Sequence, residues 1–161
     1  MNFVVIGTDH RFQDRDPGLD GILRAFLDQR WTEPLTAIAE EFGELTGCTS
    51  LAKRLASERN LRWYNLDMTT QEKQDAGILQ EQRSRPGMFQ AAVAYRVPSD
   101  NVREDAWVEK LIASAAGTTL VICGYLHFEA LVEKLTAKGH DVDRRAYLET
   151  VPSIKRPAED L

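Results

Sequence analysis

Phe3-Val4-Val5-Ile6-Gly7-Thr8-Asp9-His10, near the start of the chain, has a twin far along it: Leu120-Val121-Ile122-Cys123-Gly124-Tyr125-Leu126-His127. Each is a short apolar run, rich in β-branched residues, that ends in a Gly-X-X-His tetrad. A run of this kind stopping at glycine reads as a buried strand entering a turn. Strands flanked by helical patterns read as parallel, and open parallel sheets bind ligands outside the carboxyl ends of their strands. If both runs belong to one such sheet, two imidazoles reach the same edge from opposite ends of the chain. Histidine is the usual side chain for metal ligation and for proton transfer near neutral pH.

Outward from these two runs, strands and helices alternate. Arg11 to Gly18 is polar and carries Asp-Pro-Gly, a turn signal. Leu19, Ile22, Leu23, Phe26 and Leu27 then follow helical spacing, predicting a helix to about Arg30. Leu35 to Phe42 reads two ways. Its apolar positions fit a helix, and the run ending in Glu40-Glu41 also fits a short buried strand. Thr49 or Ser50 caps a helix to about Asn60, Trp63 to Leu66 makes a short strand ending at Asp67, and Thr69 or Thr70 caps the next segment. Residues 71–98 read as a polar helix to about Arg83 and then a weakly patterned stretch, a mobile or substrate-facing insertion. Asp100 or Asn101 starts a helix stopped by Gly117. The second histidine run leads into a helix closed by Gly139, and Val142 to Leu148 is a last strand. This alternation predicts an α/β fold, a three-layer α/β/α sandwich with a mostly parallel sheet.

The 161 residues make one domain, here residues 1–150, followed by a flexible Pro-containing tail over 151–161. A hydrophobic content of 43% is ordinary for a globular chain, and a net charge of -5 argues against nucleic acid and against a polybasic membrane role. No run reaches the roughly 18 apolar residues of a membrane span, and no signal peptide is read at the start. Cys48 and Cys123 read as reduced thiols of a cytoplasmic protein.

The residues just past the strands are His10, Glu40 and Glu41, Asp67, and His127. Each alone has a plain structural alternative: a turn cap, a solvated face, a helix cap. Together they put metal-competent or acid/base groups at four strand ends. Glycine three residues before each histidine permits a sharp turn and close approach of a ligand. Arg103 and Trp107 share a helix face, and an arginine in a first turn opposes the helix dipole, so a carboxylate or an anionic intermediate is expected to hold it.

The order Gly-Thr-Asp-His-Arg-Phe-Gln, Ile-Ala-Glu-Glu, Asp67, Arg-Glu-Asp-Ala-Trp and Cys-Gly-Tyr-Leu-His, spanning Gly7 to about Gly139, resembles small bacterial proteins of the TraB-like, TIKI, erythromycin esterase and ChaN-like superfamily. The resemblance implies an α/β fold whose acidic pair ends a strand, which favours the strand reading of residues 35–41. It also implies a reactive centre of two histidines and a glutamate. In TIKI-like members that centre is a divalent-metal hydrolase, whereas erythromycin esterases are thought to use a histidine-activated water. This chain is much shorter than most of those enzymes.

The first functional expectation is therefore a small cytoplasmic hydrolase acting on a small molecule or peptide. His10 and His127 are the candidate ligands of a divalent metal (Mn, Zn or Fe), or the holders of a water. Glu40 or Glu41 is the candidate general base, and Arg103 meets the developing oxyanion. Asp9, Asp67 and Glu104 are candidate supports that fix the imidazole tautomers. Gly7, Arg11, Trp107 and Gly124 are expected to line the same site. The alternative is a non-catalytic domain that binds a small molecule or protein through the same polar pocket.

Overall fold

The runs that lack polar alternation are buried on both faces. They form strands β1 (Asn2–Thr8), β2 (Leu35–Glu40) and β4 (Thr118–Gly124), the inner strands of a five-stranded sheet. The short β3 (Arg62–Asn65) and the charged β5 (Asp141–Tyr147) are its edges. A computed structural model describes residues 2–43, 49–84 and 96–147. Every pairing is parallel, in the order β3-β2-β4-β1-β5.

One face of the sheet, with Val4, Ile6, Ile38, Leu120 and Ile122, is covered by α1 (Pro17–Asp28) and α2 (Leu51–Glu58) through Leu19, Leu23, Phe26, Leu51 and Leu55. The opposite face, with Phe3, Val5, Ala39, Val121 and Cys123, is covered by α5 (Pro98–Ser114) and α6 (Tyr125–Ala137) through Trp107, Leu111, Phe128 and Leu131. The result is the three-layer α/β/α sandwich that the alternation predicts. Between β3 and α5 lie two short helices, α3 (Thr70–Asp75) and α4 (Leu79–Ser84). No helix among the described residues is long and apolar enough to cross a membrane.

The topology fixes where a site can be. β1 and β4 are neighbours, with Gly7 opposite Cys123 and Thr8 opposite Gly124. The chain leaves β1 for α1 on one face and leaves β4 for α6 on the other. Their carboxyl ends therefore flank a crevice at a topological switch point, where open α/β sheets bind ligands. Both Gly-X-X-His tetrads end there.

Local departures from the sequence reading have physical causes. Residues 35–40 form a strand despite helical spacing, because Ala37, Ile38 and Ala39 are buried from both sides. Ser50 and Thr69 are the caps of α2 and α3. The polar helix after Thr69 breaks at Gly77, whose φ of 70° is left-handed. Helix α5 starts at Pro98, ahead of Asp100, and Asp100 accepts a hydrogen bond from the Val97 backbone N–H. Arg103 thus lies in the second turn rather than the first, and the argument from an opposing helix dipole falls away. The later part of the expected insertion, residues 85–95, and the expected tail lie outside the described residues.

Candidate functional site

Glu41 follows β2 directly, and its backbone N–H continues the ladder to the Ile122 carbonyl at 2.8 Å. This aims its side chain at the end of β4. One carboxylate oxygen, Oε2, accepts the Gly124 backbone N–H at 2.7 Å and lies 3.6 Å from His10 Nε2. The other, Oε1, accepts from Arg103 Nη2 at 2.7 Å and lies 3.7 Å from His127 Nε2. A single buried carboxylate thus sits between the two imidazoles. Burial alone would raise its pKa, but His10, His127, Arg103 and the Gly124 N–H outweigh that and hold Glu41 down to about 2.

Both imidazoles have their tautomers set by the protein. His10 opens a single 3₁₀ turn, His10–Phe12, capped by Asp9. Side chains three apart eclipse in such a turn, so Gln13 lies beneath His10. The Gln13 Nε2 donates to the Glu41 backbone carbonyl at 3.0 Å and to Glu40 Oε1 at 3.2 Å. A backbone carbonyl can only accept, so Gln13 Oε1 is the atom 2.7 Å from His10 Nδ1. Neutral His10 therefore carries its proton on Nδ1 and presents a lone pair at Nε2. Its side chain is 38% exposed, against 3% for His127. His127 Nδ1 lies 2.8 Å from Glu104 Oε1. Burial works against ionisation of Glu104, but hydrogen bonds from His127 and Arg96 hold its carboxyl below the usual range. His127 is accordingly the donor to Glu104, and its Nε2 accepts from Arg103 Nη1 at 3.3 Å. The edge of Trp107 closes this ring in, with centroids 4.9 Å apart.

Arg103 ties the centre together. Its five N–H donors all have partners: Nε to Asp67, Nη2 to Asp67 and Glu41, Nη1 to His127 and to Gln82 Oε1 at 3.4 Å. Asp100 Oδ1 is a further 3.6 Å neighbour, and the Trp107 ring lies under the guanidinium at 4.9 Å. Burial opposes this cation, but Glu41 and Asp67 overcome it and raise the pKa of Arg103 further. Asp67 also accepts from Lys73 at 2.6 Å.

Glu40 belongs to a neighbouring cluster. Its side chain receives Ser50 Oγ at 2.5 Å, Trp63 Nε1 at 2.9 Å and Gln13. Burial still pushes its carboxyl up to about 7, against those donors. Glu40 is joined to His10 by hydrogen bonds through Gln13, and the His10 charge also acts on it to lower its pKa.

His10, Glu41, Arg103, His127, Asp67, Glu104 and Trp107 therefore share one connected network. Asp9 does not support an imidazole: it caps the 3₁₀ turn and pairs with Arg11, whose side chain is half exposed. Asp67 supports Arg103 rather than an imidazole. Neither Gly7 nor Gly124 has a positive φ. Their use is space: a Cβ at Gly124 would lie 2.5 Å from His10 Nε2, and one at Gly7 would lie 2.6 Å from the Phe128 ring. Sequence reasoning missed Gln13, Ser50, Trp63, Gln82, Arg96 and Asp100. For Gln13 a signal existed, its position three residues after His10 at the end of Gly-Thr-Asp-His-Arg-Phe-Gln. The others come from separate elements and join only in three dimensions.

A divalent metal between the histidines and Glu41 is the remaining expectation. The acceptors it would need are already bound: His127 Nε2 by Arg103, Glu41 Oε1 by Arg103, Glu41 Oε2 by Gly124 N–H. Among the described residues no three His, Cys, Asp or Glu side chains stand at metal-ligand spacing. As arranged, these residues do not fit a metal. No protein-family model, no curated protein and no solved structure matches this chain.

Proposed function

We propose that the chain is a small cytoplasmic hydrolase that uses a histidine-activated water on a small-molecule or peptide substrate. One observation carries this reading: a carboxylate lies between two imidazoles, and of these His10 is the one open to solvent with its Nε2 lone pair available. A water at His10 Nε2 gives up a proton to the ring and its oxygen attacks the scissile carbonyl or phosphoryl group. The imidazolium so formed faces Glu41 at 3.6 Å, then returns the proton to the leaving group. Arg103 has no spare donor for an oxyanion, so its part is to hold Glu41 and His127 in place. Half-exposed Arg11, next to His10, is the cation positioned to meet a substrate anion. The motif order supports hydrolysis through its resemblance to a superfamily that holds both metal-dependent hydrolases and, in the erythromycin esterases, enzymes that use a histidine-activated water.

The test is a screen of generic esters, amides and phosphoesters with EDTA present, repeated with Mn, Zn and Co. The expected result is turnover that survives EDTA and falls about 10²–10⁴-fold in His10→Ala. Turnover unchanged by that substitution assigns catalysis elsewhere. A second reading, a non-catalytic binding domain, is favoured by the burial of Glu41, Arg103, Glu104, Trp107 and His127, which leaves His10 as the exposed member of the network. Absence of any wild-type turnover selects it.

A further inference from the structure

We propose that Glu40 is a positioning residue for His10: it holds the Gln13 amide in the one orientation that leaves the His10 Nε2 lone pair free, and its bond to Ser50 lets it do so with or without a proton of its own. The inference rests on the reading of His10 as the base of this centre, but its test reads the His10 ring and not turnover, so the two can fail separately. The side chains stand in line behind His10, drawn from the 3₁₀ turn and its cap, β2, the start of α2 and β3. His10 Nδ1 meets Gln13 Oε1 at 2.7 Å, and Gln13 Nε2 donates to Glu40 Oε1 at 3.2 Å. Glu40 Oε2 receives Ser50 Oγ at 2.5 Å and Trp63 Nε1 at 2.9 Å. Gln13, Glu40 and Ser50 are all buried. An amide has two faces. Turned over, that of Gln13 would set its NH2 against His10 Nδ1, move the proton of the neutral ring to Nε2 and remove the lone pair that a base needs. Glu40 Oε1 and the Glu41 backbone carbonyl oppose this together, because a turned-over amide would put its oxygen against both of theirs.

Burial pushes the Glu40 carboxyl up to about 7 against its donors and the charge of His10, so it holds a proton over part of the ordinary pH range. Its partners dictate where that proton goes. Trp63 Nε1 and Gln13 Nε2 can only donate, whereas a hydroxyl can donate or accept. Ser50 Oγ takes one bond from the Lys53 backbone N–H at 3.0 Å and has a second lone pair to offer. The proton therefore sits on Oε2, toward Ser50, and Oε1 stays an acceptor for Gln13 in both states. The surroundings bring no other carboxylate to this line. Glu41 turns its own to the Gly124 N–H and Arg103, and Lys53 of α2 stands over the Trp63 ring at 4.7 Å. β3 and β4 set Asn65 and Ile122 beside Glu40, and α1 brings Leu19 and Leu23 to this face of the sheet.

The experiment reads the tautomer of neutral His10 from its imidazole ¹⁵N and ¹³Cδ2 shifts in the full chain at about pH 9. It compares the wild type, Glu40→Gln, and the exchanged pair in which Gln13→Glu accompanies Glu40→Gln. The wild type is expected to carry the proton on Nδ1. In Glu40→Gln one side of the new amide must be NH2. Trp63 cannot accept and keeps the amide oxygen on its own side, so the NH2 meets that of Gln13 and turns it over. The expected result is a loss of at least about half of the Nδ1–H form, since each opposed pair of donors leaves a buried group unpaired. The exchanged pair gives that NH2 a carboxylate to meet and is expected to restore the Nδ1–H form. An unchanged tautomer in Glu40→Gln overturns the proposal, and so does an exchanged pair that stays Nε2–H. Where Glu40→Gln alone does not fold, the wild type and the exchanged pair carry the test, and an Nε2–H ring in either overturns it.

Discussion

A β-carbon at residue 124 would lie 2.5 Å from His10 Nε2 and 3.2 Å from Glu41 Oε2, whereas one at residue 7 would meet three atoms of Phe128 at 2.6 to 2.9 Å. The two clashes differ in kind. The His10 ring edge is the far end of a half-exposed side chain and can swing away, but Phe128 Cβ is anchored to α6 and its ring is buried in the core. Gly7→Ala is therefore expected to cost about 1–3 kcal/mol of stability, the usual range for overpacking. Gly124→Ala is expected to cost less stability while displacing His10 from Glu41. Denaturant titration of both variants, read beside the histidine NMR signals, checks this contrast. Gln13 supports a second prediction at this scale. Gln13→Leu removes the acceptor for His10 Nδ1–H, so the neutral ring is expected to shift toward the Nε2–H tautomer, visible in its ¹³Cδ2 shift; an unchanged tautomer contradicts the assignment. His10, Glu41, Asp67 and His127 were legible in sequence because each stands within four residues of the end of an apolar run and carries recognisable acid/base chemistry. Gln13 was not, since a glutamine in a polar loop carries no such mark until its neighbours in space are known.

Among the elements, β2 was the hardest to read. Leu35, Ile38, Ala39 and Phe42 are spaced as on a helix, and an inner strand buried on both faces has no polar alternation to contradict that. The acidic pair at its end was what favoured the strand. Helix α5, in contrast, was legible in its core face but not in its start, because Pro98 begins it and Asp100 turns back to the Val97 N–H. Helices α3 and α4 show the limit of periodicity. Neither has a buried residue, and they are held by the plug of Ile78 at 7% exposure and by polar contacts: Lys73 to Asp67, Glu81 to the Ser99 N–H, Gln82 to Ser99 and Arg103. Few buried apolar contacts mean a low free energy of local opening. Hydrogen exchange is expected to be faster across residues 70–84 than in the cores of α5 and α6, and Ile78→Ala is expected to speed it without lowering the global midpoint by more than a few degrees. Exchange as slow as in α6 would show that this segment opens only with the whole domain.

For the whole molecule, the alternation of runs gave away the α/β class, but not that β1 and β4 are neighbours. Strand order depends on how the crossovers pack, which no single segment records. That adjacency lets one carboxylate reach both imidazoles, and it buries two glutamates side by side with opposite pH behaviour. Glu41, held down to about 2 from an ordinary 4.5, stabilises the fold fully above about pH 4.5, and this contribution is lost as pH falls toward 2. Glu40, pushed up from 4.5 to about 7, keeps a proton in the folded state that the unfolded chain has released, so stability falls as pH rises from about 4.5 to 7. That difference is worth about 3 kcal/mol. Urea denaturation is expected to give greater stability at pH 5 than at pH 8, and Glu40→Gln is expected to flatten that slope; an equal slope in the variant would assign it to another group.

The central claim is that Glu41 lies between His10 and His127. The chain has three histidines, and His140 packs against Phe3 at the opposite end of the sheet, a built-in control. The most direct measurement is the ¹⁵N chemical shift of every imidazole nitrogen in the wild type and in Glu41→Gln. Both Nε2 signals, of His10 and His127, are predicted to move on removing the carboxylate charge, while those of His140 stay in place. A shift at only one of the two, or at neither, would contradict the shared centre.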